Sequence, residues 1–305
     1  MQKYLFKDIH TVNEGKITCT DVLVVNDRIE KISSGINVKG NVVEIMGENK
    51  YLFPGVIDDQ VHFREPGYTH KATIATESAA AVAGGVTSFM EMPNTIPNVL
   101  TLPLLQDKYD IAEHTSVANY SFFMGVSNNN SEQALRANEL KNKIAGIKIF
   151  MGSSTGNMLV DSHATLDTIF SGSELLIATH CEDERIIKHQ YENIKSIKPN
   201  LQPSDHPLIR NEDACYESSL TAIQFAKKYN SRLHILHIFG TKPHCAPGHN
   251  SFVRGCWKFV KAGKVGTHSS WRVIKEIATL PSNVLTSEPE GIDLQPDVSP
   301  WSENS

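Results

Sequence analysis

No run of about 18 apolar residues occurs in this chain, so nothing in it reads as a membrane-spanning helix. A long basic stretch is also missing. The formal charge is −5, which argues against nucleic acid as the main partner. The opening residues, MQKYLFKDIHTVNEGK, lack the apolar core of a signal peptide. Five cysteines (Cys19, Cys181, Cys215, Cys245 and Cys256) are odd in number and show no C-x-x-C spacing, so neither a disulfide framework nor a zinc finger is indicated. These absences predict a cytoplasmic globular protein with neither membrane nor nucleic acid as partner. What remains is ordinary: 305 residues, 40% hydrophobic and 21% charged, enough for one large domain with or without a small companion.

Residues 1–51 read as short β-branched strands, YLFKDIHTV, ITCTDVLVV, RIEKI and VVEIM, split by turn residues such as Asn26-Asp27 and Gly40-Asn41. They predict a small β-sandwich-like subdomain. From Tyr51 the rhythm changes to strand then helix. The apolar segments LFPGVIDDQVHF, VTSFMEMP, SVANYSFFMGV, AGIKIFMG, ELLIATHC and LHILHIFG alternate with helical segments such as ATIATESAAAVAGG, LPLLQDKYDIAEH, SEQALRANELKNK and NEDACYESSLTAIQFAKKYN. Apolar strands separated by helices are the signature of a parallel sheet covered by helices, and residues 52–240 predict the (β/α)8 TIM-barrel type of α/β fold. Only six strands are readable. After Gly240 the text loses its period, although WRVIKEIATL reads as a helix, and all three tryptophans fall there. A barrel closes with eight strands, so residues 241–305 are expected to be an atypical segment, truncated or altered in reading frame; a divergent subdomain is the other reading.

Chemistry concentrates where these strands end. In PGVIDDQVHFREPG, a strand over 56–63 would place His62 and Arg64, two residues apart, on one face. His180 (followed by Glu182) and His237 end two further strands, Lys148 another, and Asn94, Ser153 and Ser154 follow others. Imidazoles at one end of a sheet suit zinc and related ions. Lysine joins such a set only if its neutral amine is carboxylated to a carbamate; on spacing alone Lys148 reads better as a strand-end lysine reaching for solvent. The planar fork of Arg64 matches a carboxylate, with a surface ion pair as the plainer alternative. Asn94 in P-N-T is also ordinary turn chemistry. Cys181 reads as a packed thiol, and His234, His70 and His206 as structural histidines.

PGVIDDQVHFREPG, followed by EMPNT, GIKIFMGSS, THCEDE and LHILHI, resembles the cyclic-amide hydrolases of the amidohydrolase superfamily, and among them the longer, metal-dependent dihydroorotases. The resemblance covers residues 1 to about 240. It implies a hydrolase of pyrimidine biosynthesis that interconverts dihydroorotate and N-carbamoyl-aspartate through metal-activated water. It puts the first motif on Asp58, His62 and Arg64, substrate binding on Arg64 and Asn94, and metal binding on His62, a carboxylated Lys148, His180 and His237. The N-terminal strands match too, and in the family they pair with strands from the far C-terminus. Two departures stand out. Gln60 occupies the place of the motif's first histidine, so Asp58 and Gln60 are expected as a supporting residue and a weakened ligand, and one zinc rather than two is implied. The family's strand-eight aspartate, in a D-H-A-P-H context, has no counterpart; Asp293 and Asp297 are the only aspartates after Gly240. The expected partner is a small anionic cyclic amide, with a second copy of the chain or another pyrimidine-pathway enzyme as a further associate. The alternatives are a hydantoinase, dihydropyrimidinase or allantoinase, or a non-catalytic relative that keeps the fold.

Overall fold

A computed structural model describes residues 2–152 and 156–237. The chain divides into two compact units, Met1–Gly55 and a second that begins at Val56. The first holds β1 (Lys3–Asn13), β2 (Lys16–Val25), β3 (Arg28–Ser33), β4 (Val43–Met46) and β5 (Tyr51–Leu52). They form one sheet in the order β3-β2-β1-β4, with β5 also on β1. The β1–β2 hairpin turns on Glu14 (φ 48°) and Gly15 (φ 73°), and two successive left-handed residues match the twist of antiparallel strands. Leu5, Ile9, Val22 and Ile36 are its buried apolar residues. Buried beside them, Asp21 accepts from the Asp8 N–H (3.0 Å) and the Ile36 N–H (2.8 Å). The Asp8 contact in particular keeps its carboxyl below the usual aspartate range.

The second unit alternates as the sequence predicts: β6 (Val56–Val61), α1 (Ile74–Ala83), β7 (Val86–Glu91), α2 (Leu102–Thr115), β8 (Asn119–Gly125), α3 (Ser131–Arg136), β9 (Gly146–Phe150), α4 (His163–Gly172), β10 (Ile177–His180), α5 (Glu184–Ile197), α6 (His206–Ile209), α7 (Glu212–Tyr229) and β11 (Leu233–Ile235). The six strands β6 to β11 lie side by side in chain order, all parallel. Side-chain oxygens of Thr73, Thr101, Ser162, Asp183 and Asn211 cap helix starts, each satisfying an amide the helix leaves free. Left-handed Asn230 (φ 54°) ends α7.

One predicted element differs, and one helix goes beyond the prediction. The helix expected from Ser131 stops at Arg136 and tightens into a 3-10 turn, Ala137–Leu140. A helix outside the predicted set, α5, follows β10, and its Ile187 packs with Ile209 and Ala214. The sequence expectations for Trp257, Trp271, Trp301, the WRVIKEIATL helix, Asp293 and Asp297 lie outside the described residues. Among the described residues no helix is long and apolar enough to cross a membrane.

Strand alternation divides the second unit's core. Outward residues such as Phe89, Phe122, Ile147, Ile149, Ile177 and Leu233 pack under the helices. Inward residues, Met92, Phe123, Ala178 and Leu236, form a separate inner cluster. The sheet curls around that inner face. Six flat strands at about 4.8 Å spacing would hold β6 and β11 about 24 Å apart, yet His234 Nε2 on β11 lies 3.5 Å from Asp59 Oδ2 on β6. Burial raises the Asp59 carboxyl to about 6 and lowers the His234 imidazole to about 4.

Candidate active site

The strand carrying the first motif ends sooner than its apolar run suggests. β6 stops at Val61, and it carries one extra residue, since Asp58 stands opposite Phe89 and Val61 opposite Glu91. Such a bulge shifts the phase of alternation. Asp58 Oδ1 accepts from the Gln60 N–H at 3.0 Å inside it. His62 therefore lies past the strand, and Arg64 adopts a left-handed conformation (φ 67°) that a strand forbids. The expectation that His62 and Arg64 share one strand face is corrected accordingly. The two remain electrostatically coupled, since the Arg64 charge helps to lower the His62 ring.

Lys148 is likewise not a strand-end residue. It is the middle residue of β9, 1% exposed, beside Gly125 on β8 and Ala178 on β10. Its amine lies 4.4 Å from the centre of the Phe150 ring. Burial lowers it to about 7, where a neutral amine is accessible. Four histidines feel its charge: His62, His180, His234 and His237. The lysine thus sits at the hub of the group, and reading it as a solvent-seeking side chain is excluded.

The imidazoles are oriented by what they touch. Asn94, buried after β7, accepts from His62 Nδ1 through Oδ1 (2.8 Å), which leaves the lone pair of Nε2 for a ligand. Burial foremost, then the Arg64 and Lys148 charges, pushes His62 to about 3. On the other side, the Glu182 carboxylate accepts from His180 Nε2 (2.7 Å), so Nδ1 carries the lone pair. That Nδ1 faces His237 Nε2 at 3.1 Å. His237 has exposed surface area, yet protein atoms crowding its ring, with the His180 and Lys148 charges, keep it well below the usual imidazole range. Burial would raise Glu182, but His180 and Arg210 outweigh it and hold the carboxyl at about 2. Arg210 grips both oxygens, Nε at 3.0 Å from Oε1 and its other arm on Oε2.

Sequence reasoning did not find Arg210, nor the buried pair of Glu91 at the end of β7 and Lys108 on α2. A lone arginine 28 residues from its carboxylate leaves no local pattern to read. Cys181 packs as expected, buried against Met151 and Thr179, with burial lifting its thiol to about 11. His70 is exposed near the Tyr68 ring, and His206 opens α6. Ser153 and Ser154 lie outside the described residues.

Among the described residues no three His, Cys, Asp or Glu side chains gather as a metal-ligand set. What gathers is two imidazoles and a lysine. Two nitrogens on one tetrahedral zinc stand about 3.3 Å apart, given Zn–N bonds of about 2.05 Å. The 3.1 Å between His180 and His237 fits that edge. The facing nitrogens of His180 and His237 therefore suit one divalent ion.

Residues 49–190 match a family model described as dihydro-orotase-like. A dihydroorotase of Methanosphaera stadtmanae is 30% identical over 250 residues, 78% of this chain and 54% of that protein. An allantoinase of Deinococcus radiodurans is 30% identical over 202 residues, 62% of this chain and 42% of that protein. Among solved structures, an L-hydantoinase (dihydropyrimidinase) from Arthrobacter aurescens superposes with a TM-score of 0.72 at 24% identity, over 79% of this chain and 54% of that one. That likeness carries the curled α/β barrel fold alone. The chain spans about half the length of the dihydroorotases it matches.

Proposed function

The chain is dihydroorotase-like, of the amidohydrolase superfamily, and on that premise we propose that it handles a cyclic amide bearing a carboxylate, interconverting dihydroorotate and N-carbamoyl-aspartate for pyrimidine synthesis in the cytoplasm. The observation that carries this reading is Arg64, half-buried beside the His62–Asn94 couple. A partly dehydrated guanidinium at a site mouth favours an anionic ligand, which it binds through two parallel hydrogen bonds. The rings of hydantoin, dihydropyrimidine and allantoin carry no carboxylate for it to meet, which ranks those substrates second.

His180, His237 and a carboxylated Lys148 would hold one zinc ion, with His62 Nε2 turned to the same mouth. When bound, the ion supplies a polarised ring carbonyl and a nucleophilic water at neutral pH. Low proton affinity keeps the histidines in the neutral form that such a role needs. Asn94 fixes the His62 tautomer and Glu182 that of His180. Gln60 supplies a weaker donor than imidazole, which limits the site to one ion. It also favours a second reading, a non-catalytic member that binds the anionic ring and acts as partner to a second copy or to another pyrimidine-pathway enzyme.

Metal analysis joined to a carbamoyl-aspartate cyclisation assay on the full 305-residue chain tests the proposal. One zinc per chain with turnover is expected. Dihydroorotate binding without turnover selects the non-catalytic reading. Neither metal, nor binding, nor turnover sinks both. Gln60→His is expected to raise the stoichiometry from one ion toward two.

A further inference from the structure

Glu91 ends β7 and points outward, on the same face as Phe89, into the layer between sheet and helices. There it meets Lys108 of α2, and both side chains are only 1% exposed. A buried ion pair is weak in its own right as a stabiliser, since well-packed apolar residues in its place are often as stable or more so. Its contacts give it another use. Among the described residues neither Glu91 oxygen has a hydrogen bond of ordinary geometry; its ion-pair partner is Lys108, and Glu91 itself stands opposite Val61, the last residue of β6, so the pair sits where the Arg64 loop leaves the sheet. Lys108 Nζ in turn donates to the Met92 carbonyl (3.1 Å), and the Met92 N–H to that of Val61 (3.0 Å).

The pair thus grips the roots of two loops, one bearing Arg64 and the other Asn94. The loops also touch at their tips. The Ile96 N–H donates to the Pro66 carbonyl (3.1 Å), and a Cβ on Gly67 (φ 93°) would fall 2.4 Å from the Ile96 carbonyl oxygen. Arg64, left-handed without being glycine, needs such support to keep its backbone there.

We propose that Glu91 and Lys108 are positioning residues that lock the Arg64 loop against the Asn94 loop and thereby set the site's preference for a carboxylated ring over an uncharged one. This rests on the reading above that Arg64 meets the substrate carboxylate. Neither residue touches the ligand. The pair acts through the Val61–Glu91 register and the Met92 carbonyl, and its loss lets Arg64 and Asn94, the two groups read as meeting the carboxylate, drift while Lys148, His180 and His237 stay in place.

The test is a ratio. Dissociation constants for dihydroorotate and for dihydrouracil, the same ring without the carboxylate, are measured by calorimetry on the full chain and on E91M/K108M, which replaces the pair by apolar residues. Dihydroorotate binding is expected to weaken about tenfold with dihydrouracil unchanged, because small misplacements of a clamp are costly. A purely structural role would weaken both ligands alike. Glu91→Gln, which keeps the shape and removes the charge, reads the same ratio if the double variant does not fold. Wild-type preference retained in a folded variant overturns this inference and leaves the proposed function standing. A wild-type chain that binds both rings equally overturns the Arg64 reading and this inference together.

Discussion

Glu91 and Glu182 each back a part of the candidate site, one at the root of the Arg64 and Asn94 loops, the other hydrogen-bonded to His180. Glu91 is fully dry; burial outweighs the Lys108 ammonium and the nearby Phe63 and Arg64 N–H groups and holds the carboxyl above its usual range, while lowering Lys108 in turn. Glu182 is 14% exposed in its side chain and is gripped by the fork of Arg210 and the ring of His180, which hold it at about 2. The sign of the shift is set by the number of charge-assisted donors against the depth of burial. A carboxylate with three such donors near the solvent edge stays ionised. One in a fully dry layer does not hold its charge as readily, even with an ammonium against it.

The largest test of this contrast is to remove each cation. Lys108→Ala strands Glu91 in the dry layer and is expected to cost about 3–5 kcal/mol in urea unfolding. Arg210→Ala leaves Glu182 within reach of water and is expected to cost about 2 kcal/mol, the range of a hydrogen bond to a charged group. Equal losses would break the comparison.

The next test is pH. Glu182 has a depressed folded value, so its contribution is present above the unfolded glutamate value, about 4.3, and is lost as pH falls toward 2. The span corresponds to at most about 3 kcal/mol. Urea unfolding at pH 6 and pH 2.5 should show a loss of stability smaller by up to about 2 kcal/mol in Glu182→Gln than in the wild type, the remainder belonging to the buried histidines; an equal loss in both would mean that Arg210 and His180 do not hold the ionised form.

Metal affinity separates the two sides by function. Losing the carboxylate that orients a ligating histidine weakens binding roughly ten- to hundredfold, so Glu182→Gln should lower zinc affinity by that much in chelator competition, while Glu91→Gln leaves it unchanged. The smallest effect isolates the helix that follows. Asp183 caps α5 by accepting from the Arg185 (2.9 Å) and Ile186 (3.3 Å) N–H groups. Asp183→Ala should cost about 1 kcal/mol of stability with zinc affinity intact. A matching loss of zinc would show that Glu182 acts through α5 and not on His180 directly.

Much of the fold was legible because parallel strands covered on both faces read as apolar runs, and VTSFME, GIKIF and IATH announce themselves that way. The helix α5 was not read, although Ile187, Tyr191 and Ile194 recur at helical spacing after a capping Asp183; its many charges masked a narrow apolar stripe. The site was legible as a set of residue types and not as a geometry. His62, Asn94, Lys148, His180 and His237 do converge, but Arg64 arrives from a left-handed turn and Lys148 from mid-strand. A bulge between Asp58 and Val61 leaves no mark in the letters, because hydrogen-bond register with β7 creates it.

From its letters alone this chain could be assigned six strand–helix alternations, a first motif with Gln60 in place of a histidine, and an arginine suited to an anion. These are local properties of apolar runs and side-chain chemistry. Only the tertiary structure decided that the sheet curls until Asp59 meets His234 across five strand spacings, that His180 and His237 come within 3.1 Å, and that Glu91 and Glu182 find their cations. Each of those contacts joins residues far apart in sequence, and curl and register fix them only when the whole sheet assembles.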